Sequence, residues 1–447
     1  MTPSKPDNQP QLFQSSFEAI LNPDHPLCKL ADSIDWDWLD AQLAECYHQD
    51  MGRPGNATRL MVGLHYLKHA FDESDESVMA RWIENPYWQY FCGYKYMQHE
   101  FPIHPTSMTK WRNRVGSKRM ESLLKETINT AKREKHLKPR EIRRVIVDTT
   151  VQEKAIAFPT DARLYLKAIQ RLAKLSKQFD INLRQSYVRV SKKAFFQQGR
   201  YARANQFKRA AKQASKLKTY LGRLIRDIRR KADNPSEPLR TMLYRAERIL
   251  SQQRKDRNKL YSLDAPEVEC IGKGKAHKKY EFGCKVSICL THASNWILSC
   301  DALHGNPYDG HTLKGTLAKA ANLAGQSIKE AYVDNGYKGH GCEGDADVYV
   351  QGQRRKSLSR AIKNKLKRRS AIEPSIGHLK DDNRMKRNYL KGTEGDKLNA
   401  IFAGAGYNLR KLLKAFCHAL AELLLRLEKR LTFNKNIQPK WNIATAG

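Results

Sequence analysis

Apolar residues recur at helix spacing through the first part of the chain, and residues from about 1 to 135 read as helical; Leu60, Leu64, Leu67 and Ala70 mark one such face. Ser74 and Ser77 sit in an acidic stretch (DESDESVMARW) suited to open the next helix, because short polar side chains cap free N–H groups. Trp82, Tyr87, Trp88, Tyr90 and Phe91 cluster as core or dimer contacts. From His104 the pattern offers a capped helix start followed by Lys110, Arg112 and Arg114. Two readings stay open there: the second helix of a helix-turn-helix set in a major groove, or a solvated basic helix.

The β-branched run Arg144–Val151 then predicts a short strand. Residues from about 161 to 262 return to helix, with Leu164, Ala168, Leu172 and Leu175 on one face and Lys and Arg on the others. An Asn-Pro break at 234–235 precedes a further helix, Leu239 to Leu260, and two long basic helices packed as a hairpin fit this stretch. Past 270 the period changes to two: Phe282, Cys284, Val286, Ile288 and Leu290 alternate as a half-buried strand does, and Trp296–Cys300 is its partner. Thr312–Leu323 reads as helix, Ala331–Asp334 and Asp347–Val350 as strands, and Lys363–Lys380 and Lys397–Arg430 as helices. The order predicts an α/β fold, a mixed sheet interrupted after its first strand by a large helical insertion.

Charge sharpens this outline. The chain carries 81 Lys and Arg against 46 Asp and Glu, a formal net charge of +35, which makes a nucleic acid the default partner. An anionic membrane surface or a ribosome is the competing partner class. The excess is local: residues 1–100 hold 7 basic and 15 acidic residues, whereas 161–265 hold 28 basic and 8 acidic ones. The insertion is therefore expected to touch DNA through phosphates, with a solvated basic face as the alternative. No run of about 20 apolar residues exists, so no membrane span is expected. The polar start of the chain lacks a signal-peptide pattern, and nine Cys without a CxxC argue against a disulfide framework or zinc ribbon. A cytoplasmic, nucleoid-associated protein is the expectation.

Asp148 and Asp334 each fall near the C-terminal end of a β-rich run, where ligand sites of open α/β sheets form. A carboxylate there costs too much to bury unpaired. Glu373, on or beside the following basic helix, adds a third. Three oxygen donors without thiol or imidazole suit Mg2+ better than Zn2+, and two such ions can serve phosphoryl transfer. On a continuous helix Arg369, Glu373 and Lys380 share a face, since offsets of 4 and 11 residues turn through about 40° and 20°. Pro374 opposes a continuous helix, and Ser370 would instead cap a new one with Glu373 three residues on.

The stretches VDTTVQEKAIAFPTDARL (147–164), SLDAPEVECIGKGKAHKKYEFGCKVSI (262–288), HGNPYDGHTL (304–313), YVDNGYKG (332–339) and RRSAIEPSIGHLKDDNRMKRNYLKG (368–392) together resemble the transposases of the IS5 insertion-sequence family, within the wider IS4-like group of DDE enzymes. The resemblance covers essentially the whole chain. It implies an RNase H-like catalytic domain with Asp148, Asp334 and Glu373 as its acidic triad, holding Mg2+ or Mn2+ as two ions in the family's manner. It further implies binding to terminal inverted repeats and target double-stranded DNA, excision, strand transfer and a homodimer in a synaptic complex. The wider group's tyrosine–arginine–glutamate–lysine signature is matched at Arg369, Glu373 and Lys380, but Leu366 stands at the tyrosine position.

The expected organisation is an N-terminal helical DNA-binding or dimerisation domain (1–138), the catalytic domain (139–160 and 264–415), the basic insertion (161–263), and a C-terminal helix and tail (416–447). Lys273, Lys275, Lys278 and Lys279 are candidate phosphate clamps or a solvated basic loop. Asp161 and Asp309 read as helix caps, His304 and His311 as structural, and Trp296 as core. A non-catalytic DNA-binding protein is the alternative function.

Overall fold

In a computed structural model of the chain, the described residues are 14–47, 54–253, 255–272, 278–342, 346–352 and 359–435. The chain opens with α1 (Phe17–Ile20), α2 (Pro26–Ser33), α3 (Trp36–Ala44), α4 (Thr58–Ala70), α5 (Asp75–Glu84), α6 (Pro86–Phe91), α7 (Pro105–Arg133) and α8 (Pro139–Ile142). Strand β1 (Arg144–Glu153) leads into the insertion, α9 (Asp161–Gln178), α10 (Val188–Arg203), α11 (Phe207–Lys231) and α12 (Glu237–Ser251). Then come β2 (Glu269–Gly272), β3 (Tyr280–Thr291), β4 (Ile297–Leu303), α13 (Asp309–Ala324), β5 (Glu330–Val333), β6 (Asp347–Val350), α14 (Arg360–Arg368), α15 (Ile372–Asp381) and α16 (Gly392–Lys435). None of the described helices is long and apolar enough to cross a membrane.

The strands form one mixed sheet in the order β2-β3-β1-β5-β6, with β4 also paired to β3. β1 is antiparallel to β3 from Val145↔Thr291 to Glu153↔Gly283, and parallel to β5 over only Arg144↔Glu330 to Ile146↔Tyr332. Side chains alternate across a strand, so neighbours on β1 serve opposite faces. Thr149 turns to α13, where its hydroxyl reaches Asp309, and Gln152 turns to α16, where it meets Asn399.

One hydrophobic core runs from Leu27 to Phe416 and joins the N-terminal helices to the sheet without a break at the expected boundary after residue 138. α16 lies at its centre. Gly404 faces Cys300 and Ile297 of β4, and Gly406 faces the backbone of His69 on α4, where an added Cβ would stand 2.7 Å from the His69 carbonyl. Asn408 then accepts from the Ile297 N–H at 3.0 Å and donates to the Ile297 carbonyl at 2.9 Å, so a side chain completes the hydrogen bonding of this β4 residue. Because α16 is continuous from Gly392 to Lys435, the division expected at 415/416 falls inside a helix.

A second core belongs to the insertion, with Leu164, Leu172, Leu221, Ile228 and Leu243 among its buried residues. The insertion has four helices, where a hairpin of two was expected. Asp180 and Asn205 adopt left-handed backbone (φ 53° and 55°), which ends α9 and α10. β2, four residues long, is also an addition; it carries too short an alternation to stand out.

The N-terminal reading needs correction at α7. His104 caps it, and Ser74 with Ser77 caps α5, both as expected. Arg112, however, points inward: its guanidinium is buried, donates to both Asp75 oxygens at 2.9 and 2.6 Å, and contacts His65 Nε2 at 3.2 Å. Desolvating an arginine in this way is tolerable only because a carboxylate meets it, and it removes Arg112 from any groove. Residues 92–104 separate α6 from α7, too long a link for the 3–4-residue turn of a helix-turn-helix. Lys110 and Arg114 remain exposed on the same helix.

Two expectations follow. Gly406→Ala overpacks the α16–α4 contact and lowers stability by about 1–3 kcal/mol, whereas Gly315→Ala in α13, with open space around it, adds roughly 0.5–1 kcal/mol; chemical unfolding of both variants checks the contrast. Burial works to raise the Asp75 carboxyl, but hydrogen bonds from Arg112 and the charge of Lys68 outweigh it and hold it far below the usual range. That stabilisation is complete above the unfolded pKa of about 4 and disappears as pH falls through the depressed folded value. Asp75→Asn should cost about 3–5 kcal/mol at pH 7 by stranding Arg112 and Lys68, and should flatten the loss of unfolding midpoint on acidification.

Candidate active site

The sheet has a step. β1 continues to Glu153, but its parallel partner β5 stops at Val333, so beyond Ile146 that edge of β1 has no paired strand. Asp148 lies on β1 two residues past the last paired position, and Asp334 lies two residues past the same position on β5. Continuing the register sets them side by side, with strands about 4.8 Å apart. Both are half-buried. Asp148 accepts from the Thr149 N–H at 2.7 Å, and Asp334 accepts from the Gly336 N–H at 2.9 Å at the start of a tight turn, Asn335–Tyr337.

Asp309 joins them from the other face of the sheet. It is the first residue of α13 and not its cap, and its Oδ1 accepts from the Thr149 hydroxyl and the Lys285 ammonium, each at 2.9 Å. Its Oδ2 converges with the Asp334 carboxylate over Gly336: a Cβ there would lie 3.4 Å from Asp309 Oδ2 and 3.1 Å from Asp334 Oδ1. Tyr337 is fully buried beside them, and its hydroxyl has no hydrogen-bond partner. Burial first, then the charges of Asp148, Asp309 and Asp334, push the phenol far above its usual range. A buried hydroxyl and three carboxylates facing one gap form an all-oxygen set, the chemistry that suits a hard divalent cation.

Arg369 spans the strand ends. Its Nη1 stands 3.6 Å from Asp148 Oδ2, and its Nε donates to Gln351 Oε1, just past β6, at 2.9 Å. A tight helical turn, Arg369–Ala371, runs into α15, so Glu373 follows one turn later, about 6 Å along the axis. Pro374 sits in the first turn of α15, where its missing N–H leaves no bond unmade. Ser370 does not cap; its hydroxyl bonds the Lys367 carbonyl. Glu373 is exposed, and Lys380 lies half-buried two turns further on. α15 packs on β1 and is tied to α16 by the Tyr407 hydroxyl donating to Ser375 Oγ at 3.1 Å. Leu366, at the position where the resemblance implies tyrosine, packs against the main core.

The other candidates lie elsewhere. Lys278 pairs with Glu153 and Glu281, and Lys279 lies over Tyr280. They flank the far end of β1, roughly 16 Å along the strand from Asp148. Lys273 and Lys275 lie outside the described residues. Asp161 is exposed at the start of α9, which Thr160 caps. His311 is exposed beside Tyr308, Trp296 is buried under Lys411, and His304 belongs to a separate buried cluster. Sequence reading missed Asp309 and Tyr337 as members of the carboxylate group, although both fall in stretches that carry the resemblance.

Residues 15–114 match the model of a transposase domain (DUF772), and residues 341–413, which include Arg369, Glu373 and Lys380, match that of a transposase DDE domain. A relative from Rhizobium meliloti, described as an uncharacterized protein, ORF8 in the nfe locus, is 51% identical over 208 residues, 46% of this chain and 100% of the relative. No solved structure matches. Transposase sequence thus occupies both the helical start of the chain and the helices that close over its sheet, and the chain belongs to the transposases, DNA-acting proteins of the DDE type.

Proposed function

We propose that this transposase is of the IS5 type and that it cuts phosphodiester bonds at the ends of an insertion sequence and joins the freed 3′ ends to target DNA, from an RNase H-like domain with Asp148, Asp334 and Glu373 as its acidic triad. The observation that carries this reading is the convergence of Asp148 and Asp334 at the step between β1 and β5, with the unpartnered Tyr337 hydroxyl against them. A central strand with an antiparallel neighbour on one side and a parallel one on the other supports the RNase H-like assignment.

Asp148, Asp334 and Glu373 would hold Mg2+ or Mn2+, with Asp309 as an additional carboxylate on the α13 side. Bound there, divalent ions supply activation of an attacking oxygen and stabilisation of a leaving one. The chain's own groups do the rest. Arg369 balances Asp148 and, once that carboxylate is engaged, presents its guanidinium to a phosphate. Lys285 and Thr149 fix the Asp309 carboxylate. Glu373, exposed at the start of α15 one turn after Arg369, would complete the set from the solvent side. Lys110, Arg114 and Lys380 add cations on exposed or half-exposed surface, and the insertion supplies a broader one. There Arg184, Arg223, Arg226 and Arg230 line a single pocket beside Tyr187. Terminal inverted repeats are the proposed specific ligand, and two chains pairing two ends form the synaptic complex.

With a supercoiled plasmid carrying the element's ends and Mg2+, Asp148→Ala and Glu373→Gln should lose nicking while binding end DNA as the parent does. Asp309→Asn should retain nicking at a rate lower by roughly 10- to 100-fold, as for a group that orients metal ligands. Full nicking by Asp148→Ala defeats the triad, and binding without nicking by the parent chain in any divalent metal reduces the protein to a DNA-binding scaffold. Replacing Arg223 and Arg226 together by Ala should lower the slope of log affinity against log salt by up to about 2, since each phosphate contact contributes about 0.9; an unchanged slope removes the insertion from the interface.

A further inference from the structure

A second polar cluster lies on the same sheet, four residues further along β1 from Asp148, roughly 13 Å by strand rise. Cys284 on β3, His304 just after β4 and Asp396 in the first turns of α16 each turn one donor atom inward, and these atoms lie within 4.8 Å of one another. Cys284 and Asp396 are buried. His304 Nε2 is 3.6 Å from Asp396 Oδ2 and is buried without a hydrogen-bond partner. Its other nitrogen, Nδ1, faces Glu269 Oε1 at 3.6 Å, and that carboxylate oxygen is itself held by the Gly305 N–H at 2.6 Å. The second Asp396 oxygen is taken by Lys154 at 2.8 Å and Asn388 at 2.6 Å.

We infer that Cys284 Sγ, His304 Nε2 and Asp396 Oδ2 form a zinc site, separate from the carboxylates around Asp148. Three considerations carry this. Thiol, imidazole and carboxylate together select a borderline cation of the zinc class and not Mg2+. Glu269 stands on the Nδ1 side of His304, where a carboxylate accepts the Nδ1–H of a ligating histidine, orients the ring and leaves Nε2 free for the ion. Charge also calls for a cation: Asp396, Glu267 and Glu269 are three carboxylates against the single Lys154 ammonium, which bonds Asp396 and also Glu267 at 2.7 Å. A dication at the unpartnered Nε2 balances them.

Three protein ligands leave the fourth tetrahedral position for water. On binding, the Cys284 thiol gives its proton to solvent as the sulfur–metal bond forms, and a protonated His304 gives up its own. Protons and the metal therefore compete, and affinity falls as pH falls. The ion would tie β3, the end of β4 and the start of α16 together beside β2, where the chain returns from the insertion.

The test uses the full chain, stripped with a chelator and titrated with Co2+ and then Zn2+. The expected result is one equivalent of Co2+ with a sulfur-to-cobalt charge-transfer band, displaced by one equivalent of Zn2+. Cys284→Ala should abolish the band, Glu269→Gln should weaken Zn2+ binding roughly 10- to 100-fold, and Asp148→Ala should leave both unchanged. Absence of the band in the parent chain overturns the site whatever the variants do. A band that survives Cys284→Ala in a chain with an unaltered circular dichroism spectrum, or that is lost in Asp148→Ala, overturns it as well.

Discussion

Everything around the carboxylates depends on the unequal pairing of β1. Its antiparallel partner β3 holds it along nine positions, which keeps the strand extended and its side-chain alternation regular to Glu153. Its parallel partner β5 holds only three. The strand thus passes beyond its neighbour and exposes one edge at Asp148. At such a step the two faces of the sheet are no longer separated by a paired backbone. That is why Asp309, approaching from the α13 face, and Arg369, approaching from the α15 face, reach the same gap. A longer β5 would have filled the space with backbone hydrogen bonds and kept the two sides apart.

α16 decides where the helical layer stands relative to that step. Gly404 lets it settle on the side chains of β4, Gly406 lets it approach the backbone of α4, and Asn408 fixes its rotation by bonding both polar groups of Ile297. From there Tyr407 reaches Ser375 on α15, two residues from Glu373. The N-terminal helices are therefore part of the same packed body as the sheet, and their acidic residues do structural duty in at least one place: Asp75 neutralises Arg112 and Lys68 inside it. The basic insertion differs. It has its own core and leaves its cationic faces in solvent, as a surface that meets phosphates must.

Much of this was legible in the residues. Strict alternation from Phe282 to Leu290 announced β3, and the β-branched run at 144–151 announced β1, because period and side-chain shape are local properties. Ser74 capping α5 was equally local. The insertion's helical character and charge were plain, but its division into four helices was not, since the left-handed turns at Asp180 and Asn205 break it without a Gly or Pro to mark them. Arg112 was misread for a related reason: a cation on a helix has the same sequence signature whether it faces water or a buried carboxylate 37 positions away.

By itself, then, the sequence determined the mixed α/β class, the order of its elements, the concentration of positive charge in the insertion and the stretches that resemble DDE transposases. The first three follow from composition and short-range spacing; the resemblance rests on the stretches themselves. Which carboxylates meet was decided only in three dimensions. Asp148 precedes Asp309 and Asp334 by more than 150 residues of chain, and only the register of β1 with β5, together with the docking of α13, brings their charges to one point. The same is true of Cys284, His304 and Asp396, whose proximity depends on sheet order and on the position of α16. Long-range pairing sets those distances, and no local pattern encodes them.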